Sequence, residues 1–327
     1  MVWMELSLNT TAEAVDWVCS LLNEINYTGD VHIAKYTGSD SSTSIAQDLE
    51  QPQWAFTMCL YLAQDVYTNA HIDKIANLLS PLQRTGLCDA PVMAVVDETT
   101  QVGGKNSLVH RIGKRFVVLT NELPYESEAD DDVVIRLETT LAFGSGLHPA
   151  TILCLKLLER YVVPAMNVLD LGSGSGILSI AMAKLGASVL AVDNDSVAVV
   201  STQDAVHRNG VTEQVTVMKG SLGHGSNLGH WMNMDIDNVP SIDATKRFDL
   251  IVCNILARVH IALASDFRQV LCHDDTSGGL LILGGFTADY EDAVDTALRA
   301  VGFEAVDCER AHEWLALAYQ LRRQQTV

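Results

Sequence analysis

Residues 168–193 hold two short apolar segments, each ending in an aspartate, on either side of a glycine-rich turn. The first segment ends at Asp170 and the second at Asp193, with a helix-periodic stretch between them. Three glycines lie in the turn: Gly172, Gly174 and Gly176. This order predicts a strand, a tight turn, a helix and a second strand, which is the repeating unit of a doubly wound α/β sheet. Nucleotide-like ligands bind beyond the carboxyl ends of such strands, where glycines permit a close approach and a terminal carboxylate can hold both ribose hydroxyls.

The spacing of these glycines separates the classes of nucleotide-binding turn. A dinucleotide-binding turn has its third glycine three residues after the second, and that place here is Ile177. A P-loop is not predicted, because no Gly-Lys-Ser/Thr follows a glycine run. The G-x-G-x-G turn after an aspartate-ended strand resembles the first motif of class I methyltransferases, which bind S-adenosylmethionine. A turn from a phosphate- or NAD-binding domain stays the alternative.

The composition bounds the number of domains and the kind of partner. With 327 residues, 48% of them hydrophobic, the chain can form two domains that each bury a core. The 41 acidic and 21 basic residues give a formal net charge of −20, which repels nucleic acid and favours a basic partner, although acidity also serves solubility alone. Seven scattered cysteines without a Cys-x-x-Cys pair predict buried, reduced thiols. With no signal-peptide pattern and no apolar run long enough for a bilayer, we expect no membrane association and a cytoplasmic location.

The first 97 residues predict a small α+β domain. Alternating apolar residues from Met4 to Leu8 indicate a strand, and Thr10 with Glu13 forms a capping-box pair that would begin a helix. Further elements are expected at 31–36, 54–62, 72–82 and 91–96. The resulting order, β-α-β-β-α-β, is that of ferredoxin-like domains, so we place such a domain at residues 1–97.

The remainder of the chain predicts a linker and a larger domain. Residues 98–125 are interpreted as a polar linker and a lead-in strand, the strand lying at about 110–120. Over 126–327, strands alternate with helices and end in an antiparallel hairpin, which is typical of a doubly wound, Rossmann-like sheet. Strands are expected at 168–171, 189–192, 215–218, 250–253 and 280–283, and helices at 178–184, 197–209 and 294–301. Residues 221–247 are interpreted as an insertion or a long loop.

Two further segments are predicted to adjoin the glycine turn. Residues 141–151 contain two glycines, a His148-Pro149 step and Thr151, which together indicate a loop over a ligand that leads into a helix. A glycine-rich helix entry, with Thr151 satisfying its own backbone, is the alternative. Asn254 follows a second apolar strand, so a doubly wound sheet would bring it to the same rim as Gly172 and Asp193.

In this order and spacing, the three segments resemble the ribosomal protein L11 methyltransferases over about residues 110–327. That family has a Phe-Gly-Thr-Gly-Thr-His-Pro-Thr-Thr loop, a Gly-x-Gly-Ser-Gly-Ile-Leu turn, and an acid that ends the second strand. It also has an Arg-Asn-Gly, like Arg208-Asn209-Gly210, and an Asn-Ile-Leu-Ala at the active site, like residues 254–257. Residues 1–97 resemble the substrate-binding domain of the family in their pattern rather than in their sequence.

The resemblance implies a role for each matching residue. Asp193 would hold the ribose of S-adenosylmethionine. Asn254, a catalytic residue that also contacts the cofactor, would face the transferred methyl group and orient the acceptor amine. His148, the second catalytic residue, would lie in the loop over the cofactor. The remaining cofactor-binding residues would be Thr151, Gly172, Gly174 and Gly176. The chain departs from the family at Ser145, Leu147 and Ala150, where threonine is usual, at Ser173, where cysteine is frequent, and at 138–140, where Asp-Pro-Gly is usual. These substitutions do not alter the residues expected to bind the cofactor. They lie where they would affect closure of the loop and the choice of substrate.

The implied activity is N-methylation of lysine or N-terminal amines of ribosomal protein L11 with S-adenosylmethionine as the methyl donor. Methylation of another protein or of a small amine is one alternative, and a non-catalytic module that binds the cofactor is another. A metal site is not predicted, since His224 and His230 lack cysteines or carboxylates at a ligand spacing and are interpreted as solvated loop residues.

Overall fold

The computed structural model describes residues 2–25, 27, 29–37, 54–63, 68–97, 109–119, 125–127, 129–137, 146–223, 239–242, 247–272 and 279–321. These residues fall into two compact units. The first lies within Met1–Val109, Thr120–Leu123 and Glu138–His148, and the second within His110–Leu119, Pro124–Leu137 and Pro149–Val327. All seven cysteines are free thiols; four of them are buried and three are partly exposed. None of the helices in the described ranges has the length and apolar character needed to cross a membrane.

The first unit is a four-stranded antiparallel sheet with two helices. Its elements are β1 (Val2–Thr10), α1 (Ala14–Glu24), β2 (Val31–Lys35), β3 (Phe56–Ala63), α2 (Thr68–Arg84) and β4 (Val92–Asp97). The strand order is β2-β3-β1-β4, which confirms the predicted ferredoxin-like β-α-β-β-α-β arrangement. Alternate residues of the strands, such as Leu6 and Leu60, form a core with Val18, Leu22 and Ile75 of the two helices.

The predicted capping box at Thr10 and Glu13 is wrong. Thr10 is the last residue of β1, where it pairs with Phe56, and α1 begins only at Ala14. The carbonyl of Thr10 accepts a hydrogen bond from the Ala55 N–H at 2.8 Å, and the side chain is buried. Strand pairing with β3 therefore takes precedence over the local helix-start pattern, which reports only on neighbours along the chain.

A three-stranded sheet occupies the region that was expected to contain a single lead-in strand. Instead of one strand at 110–120, the chain forms β5 (Val109–Ile112) and β6 (Phe116–Leu119), and β6 pairs in parallel with β7 (Val133–Arg136). The turn between β5 and β6 is held by a carboxylate. The N–H groups of Lys114 and Arg115 donate to the Glu159 carboxylate at 3.0 and 2.6 Å, so the turn is attached to the helix that carries Glu159 within the second unit.

The second unit contains a seven-stranded sheet in the order β10-β9-β8-β11-β12-β14-β13. Its strands are β8 (Asn167–Leu171), β9 (Ser188–Asp193), β10 (Val215–Lys219), β11 (Leu250–Asn254), β12 (Leu280–Thr287), β13 (Phe303–Ala311) and β14 (Trp314–Leu321). Strands β8 to β12 are parallel to one another, whereas β14 is antiparallel to both β12 and β13. This confirms the predicted doubly wound sheet with a closing hairpin.

Helices cover both faces of this sheet. One face packs against α3 (Pro149–Tyr161), α4 (Ile177–Lys184) and α5 (Ser196–Arg208), and the other packs against α6 (Ala257–Ala262), α7 (Ala264–Val270) and α8 (Glu291–Ala300). The sequence did not predict α6 and α7. Helices of six and seven residues repeat an apolar position only once or twice, which is too little to reveal a helical period.

The ends of the expected insertion at 221–247 are tied together. Ser221 donates its N–H to the Pro240 carbonyl at 3.0 Å, and Ile242 donates its N–H to the Ser221 carbonyl at 2.8 Å. Residues 224–238 and 243–246, with His224 and His230, lie outside the described residues. The described residues on the two sides of the gap, 221–223 and 239–242, are therefore paired with each other, as the ends of an insertion or a long loop can be.

A bulge in β12 brings its backbone against the end of β11. The pairing register of β12 with β14 shifts between Leu283 and Phe286, at Gly284 and Gly285. Gly285 has φ +83°, and a Cβ atom there would lie 2.6 Å from the Ile255 carbonyl oxygen and 2.7 Å from the Ile255 nitrogen. Only a residue without a side chain fits this approach.

A carboxylic acid is buried under the glycine turn. Asp170, the fourth residue of β8, is fully buried, and its Oδ2 accepts a hydrogen bond from the Ser179 hydroxyl at 2.5 Å. Its Oδ1 has no hydrogen-bond partner among the described residues. Burial, with a smaller contribution from the charge of Asp193, raises the pKa of Asp170 to about 7. The folded chain therefore holds this proton more tightly than the unfolded chain does.

Replacing Gly285 by alanine should destabilise the second unit more than the same change at Gly210. Both glycines have positive φ, which costs alanine about 1–2 kcal/mol, but a Cβ at Gly210 would meet nothing within 4 Å. We expect Gly285→Ala to lower the midpoint of thermal unfolding by several degrees more than Gly210→Ala, measured by circular dichroism. Equal losses in the two variants would show that the approach to Ile255 relaxes at no cost.

The stability of the cofactor-free protein should depend on pH through Asp170. Because the folded-state pKa is raised, the carboxyl group is least destabilising below about pH 4, and its cost grows as the pH rises to about 7. Asp170→Asn should therefore raise the free energy of unfolding more at pH 8 than at pH 5, by roughly 2–3 kcal/mol, as measured by chemical denaturation at the two pH values. Asp204→Asn, on the exposed face of α5, is the control and should show no such trend. A gain that is the same at both pH values would contradict the assignment.

Candidate active site

The carboxyl ends of β9, β8 and β11 form one rim of the large sheet. The chain passes from β8 to β9 on one side and later returns to place β11 on the other side of β8. Strand order reverses at this point, and open α/β sheets bind ligands in the crevice beyond it. Three residues lie at the strand ends here: Leu171, Asp193 and Asn254.

The glycine turn is held against β9 by backbone hydrogen bonds. Gly172 and Ser173 both donate N–H groups to the Val192 carbonyl, at 2.8 and 3.2 Å. Gly172 has φ +81°, and a Cβ atom on it would lie 2.5 Å from Cγ2 of Ile255, the residue that follows Asn254. The turn therefore lies directly beside the end of β11, and the predicted glycines, including Gly174 and Gly176, occupy the passage from β8 into α4.

Thr202 is a site residue that the sequence did not reveal. It lies on α5, is fully buried, and donates its hydroxyl to the Gly174 carbonyl at 2.9 Å. The same hydroxyl is 2.9 Å from the hydroxyl of Ser173. Thr202 thus supports the turn from behind. The signal in the sequence was a threonine on the apolar side of a helix-periodic segment. A buried hydroxyl group needs a hydrogen-bond partner, but the sequence does not show which group that partner is.

Asp193 ends β9, as predicted, and its carboxylate connects two loops of the rim. One oxygen accepts the Gly174 N–H at 3.0 Å, and the other accepts the Asp195 N–H at 3.0 Å. Burial raises the pKa of Asp193, and these backbone donors act in the opposite direction by stabilising the ionised form. Each carboxylate oxygen has a further lone pair, so the group can also accept hydrogen bonds from a ligand's hydroxyls.

The charge at the rim favours a cationic ligand group. Asp170 and Asp193 lie close enough that the charge of Asp193 helps to raise the pKa of Asp170. The negative charge of Asp193 and of any ionised Asp170 beside the glycine turn would repel a pyrophosphate, whereas it attracts a sulfonium or an ammonium group. The electrostatics therefore support the S-adenosylmethionine interpretation over the dinucleotide alternative.

Asn254 and Thr151 are in direct contact. The Asn254 amide nitrogen donates to the Thr151 hydroxyl at 3.1 Å, and Thr151 lies, fully buried, in the first turn of α3. The amide oxygen of Asn254 is buried and has no partner among the described residues. Because the nitrogen is engaged by Thr151, the oxygen remains as an acceptor for a ligand. Thr151 does more than satisfy its own backbone, since it accepts this bond from β11.

His148 belongs to the first compact unit, together with Leu147, which lies in the core of that unit. Burial lowers the pKa of His148 to about 4, so its ring is neutral at pH 7. Residues 141–145 of the predicted loop lie outside the described residues. The place of His148 over the cofactor stays a prediction. Within the described ranges, no group of three or more histidine, cysteine or acidic side chains is arranged to hold a metal ion.

Known proteins resemble this chain over nearly its whole length. The ribosomal protein L11 methyltransferase of Chloroflexus aurantiacus is 37% identical over 330 residues, which cover 97% of this chain and 98% of that protein. The protein of the same name from Herpetosiphon aurantiacus is 35% identical over 98% of this chain and 99% of its own length.

A solved structure and a family model indicate the same family as these two relatives. A crystal structure of the ribosomal protein L11 methylase of Lactobacillus delbrueckii subsp. bulgaricus is 26% identical and matches with a TM-score of 0.50, covering 65% of this chain and 97% of that one. The family model described as "Ribosomal protein L11 methyltransferase (PrmA)" matches residues 2–322. The chain therefore belongs to the ribosomal protein L11 methyltransferase family.

Proposed function

We propose that this S-adenosylmethionine-dependent methyltransferase transfers methyl groups to lysine or N-terminal amines of ribosomal protein L11. The observation that carries the mechanism is the buried Asn254 amide oxygen, which lacks a partner among the described residues and lies at the sheet rim next to the glycine turn. The names of the relatives from Chloroflexus and Herpetosiphon support L11 as the substrate. A ribosomal protein as substrate implies that the reaction takes place in the cytoplasm.

The residues at the rim fit the cofactor. S-adenosylmethionine, when bound, supplies a methyl group that is already activated by its attachment to a positively charged sulfur. Asp193 would accept hydrogen bonds from the ribose hydroxyls, and the backbone of Gly172, Gly174 and Gly176 would lie against the cofactor. Thr151 would bound the methionine portion. The negative charge of Asp193 and of any ionised Asp170 offsets the positive charge that the cofactor brings into the crevice.

The protein's task is then to prepare and aim the acceptor amine. A lysine side chain is charged at pH 7 and has no lone pair to donate, so it must lose a proton first. Ile255 and Leu256, both partly exposed beside Asn254, offer an apolar surface on which the neutral amine is favoured. The Asn254 oxygen can accept a hydrogen bond from the amine and direct its lone pair. Such alignment can lower a barrier by about 7–11 kcal/mol, so a strong catalytic base is not required.

The first unit is proposed to recognise the substrate, with residues 1–97 as its recognition domain, 98–125 as the connection and 126–327 as the catalytic domain. The net charge of −20 suits a basic protein substrate. His148 is proposed to act at the cofactor as a neutral ring.

The test is transfer of a labelled methyl group into purified L11, with free lysine and buffer as comparison acceptors. Incorporation into L11 alone, at lysine or N-terminal amines in a mass spectrum, is the expected result. Transfer to free lysine at an equal rate would indicate a small-amine enzyme. Cofactor binding without transfer to any acceptor would indicate a non-catalytic module.

Removal of the Asp193 carboxylate should weaken cofactor binding. Asp193→Ala deletes a charged acceptor for two hydroxyl groups, and we expect the dissociation constant for S-adenosylmethionine to rise about tenfold or more in a calorimetric titration. Asp204→Ala, an exposed acid on α5, is the matched control and should bind as the wild type does. Unchanged affinity in Asp193→Ala would refute the ribose assignment.

Loss of the Asn254 amide should affect turnover and leave cofactor binding in place. Asn254→Ala removes the acceptor that aims the amine, and we expect kcat to fall roughly 100-fold, while the dissociation constant for the cofactor changes less than about twofold. Single-turnover methylation of L11 measures the first quantity and calorimetry the second. A parallel loss of both would mean that Asn254 holds the cofactor and does not orient the acceptor.

A further inference from the structure

A histidine lies buried behind the end of β11, on the side away from Thr151's helix. His260, in α6, is fully buried, and its Nε2 is 2.8 Å from the carbonyl oxygen of Gly284 in β12. The edge of its ring packs against Phe286, with 5.4 Å between ring centroids. Burying an imidazole costs free energy unless it forms hydrogen bonds. A histidine at this place is therefore expected to make a contact that an apolar side chain could not make.

The contact with Gly284 determines which ring nitrogen carries hydrogen. A carbonyl oxygen can only accept, so Nε2 must be the protonated nitrogen and the donor. Burial lowers the pKa of His260 to about 4, so the ring is neutral at pH 7 and carries only this one hydrogen. At pH 7 the single N–H of the ring is therefore the one that points at the Gly284 carbonyl.

Gly284 is the residue of β12 that faces Asn254. The two are paired in the register of β11 with β12, and a Cβ atom on Gly284 would lie 3.2 Å from the Asn254 amide oxygen. The next residue, Gly285, approaches the Ile255 backbone closely enough that its Cβ would be 2.6 Å from the Ile255 carbonyl oxygen. The bulge thus forms the wall behind Asn254, and a shift of the bulge would move the amide oxygen.

We propose that His260 is a positioning residue for methyl transfer: its Nε2–H holds the Gly284–Gly285 bulge, and the bulge fixes where the Asn254 amide oxygen lies. This inference rests on the proposed role of Asn254. His260 is fully buried, so its effect on the reaction would pass through Gly284. The amide is then held from two sides, by Thr151 through its nitrogen and by the bulge next to its oxygen.

The first test compares variants with and without a donor at this position. His260→Phe and the smaller His260→Leu keep an apolar group against Phe286 but lose the donor, whereas His260→Gln can still donate to the Gly284 carbonyl. We expect kcat to fall roughly 10- to 100-fold in the donor-less variants, with cofactor affinity changed less than about twofold, and to recover most of its value in His260→Gln. His207→Phe, on the exposed side of α5, is the matched control. Full kcat without a donor, or a glutamine variant as impaired as phenylalanine, would overturn the proposal.

The second test asks whether His260 acts through Asn254. In an Asn254→Ala background there is no amide left to position, so His260→Phe should cost no further kcat. The same substitution in the wild-type background should cost the full amount. A loss of the same size in both backgrounds would mean that His260 has only a general structural role, and would overturn the proposal.

The third test needs no acceptor. With asparagine labelled by nitrogen-15, the side-chain amide signal of Asn254 is identified by its disappearance in Asn254→Ala. We expect this signal to shift or broaden in His260→Phe and to return to its wild-type position in His260→Gln. A signal that stays unmoved in His260→Phe would overturn the inference even if L11 proved not to be the substrate. Conversely, failure of wild-type transfer to L11, with a shifted amide signal, would affect only the proposed substrate.

Discussion

The close contact between the glycine turn and the ends of β9 and β11 is the constraint on which the rest of the site depends. Gly172 donates to the Val192 carbonyl and leaves no room for a side chain beside Ile255. This packing brings the Asp193 carboxylate within hydrogen-bond distance of the Gly174 N–H. A turn held in this way presents its backbone groups and the Asp193 carboxylate to one ligand. A more mobile loop would lose conformational entropy when the ligand ordered it, and binding would be weaker.

Some buried polar groups around this turn have hydrogen-bond partners, and others have none among the described residues. Thr202 satisfies the Gly174 carbonyl, and Thr151 satisfies the Asn254 nitrogen, so these contacts fix geometry. By contrast, Asp170 Oδ1 and Asn254 Oδ1 are buried without partners among the described residues. A buried unpaired oxygen destabilises the fold by about 1–3 kcal/mol. Such groups occur where a ligand completes them, and both lie at the rim where strand order reverses.

Local patterns predicted the elements whose signal lies within one stretch of chain. The apolar segments before Asp170 and Asp193, the helix after the glycine turn and the closing hairpin all agree with the observed elements. The failures occurred where distant contacts compete with local preference. Thr10 pairs with Phe56 and does not cap a helix, and the stretch at 110–120 turns back on itself at Gly113 (φ +62°), where Glu159 accepts the N–H groups of the turn. Neither partner can be read from nearby residues.

For the site, the sequence by itself determined the chemistry: a glycine turn, an acid at the end of the second strand, and an asparagine at the end of β11. Each of these residue types is required for a contact with the ligand, so the motif can be recognised from the sequence. The tertiary structure alone decided which supporting groups hold them, namely Thr202 behind the turn, Thr151 on the amide nitrogen, and His260 behind the β12 bulge. Each of these contacts joins residues from 24 to 103 positions apart, and such pairs form only when the sheet has brought its strands and helices together.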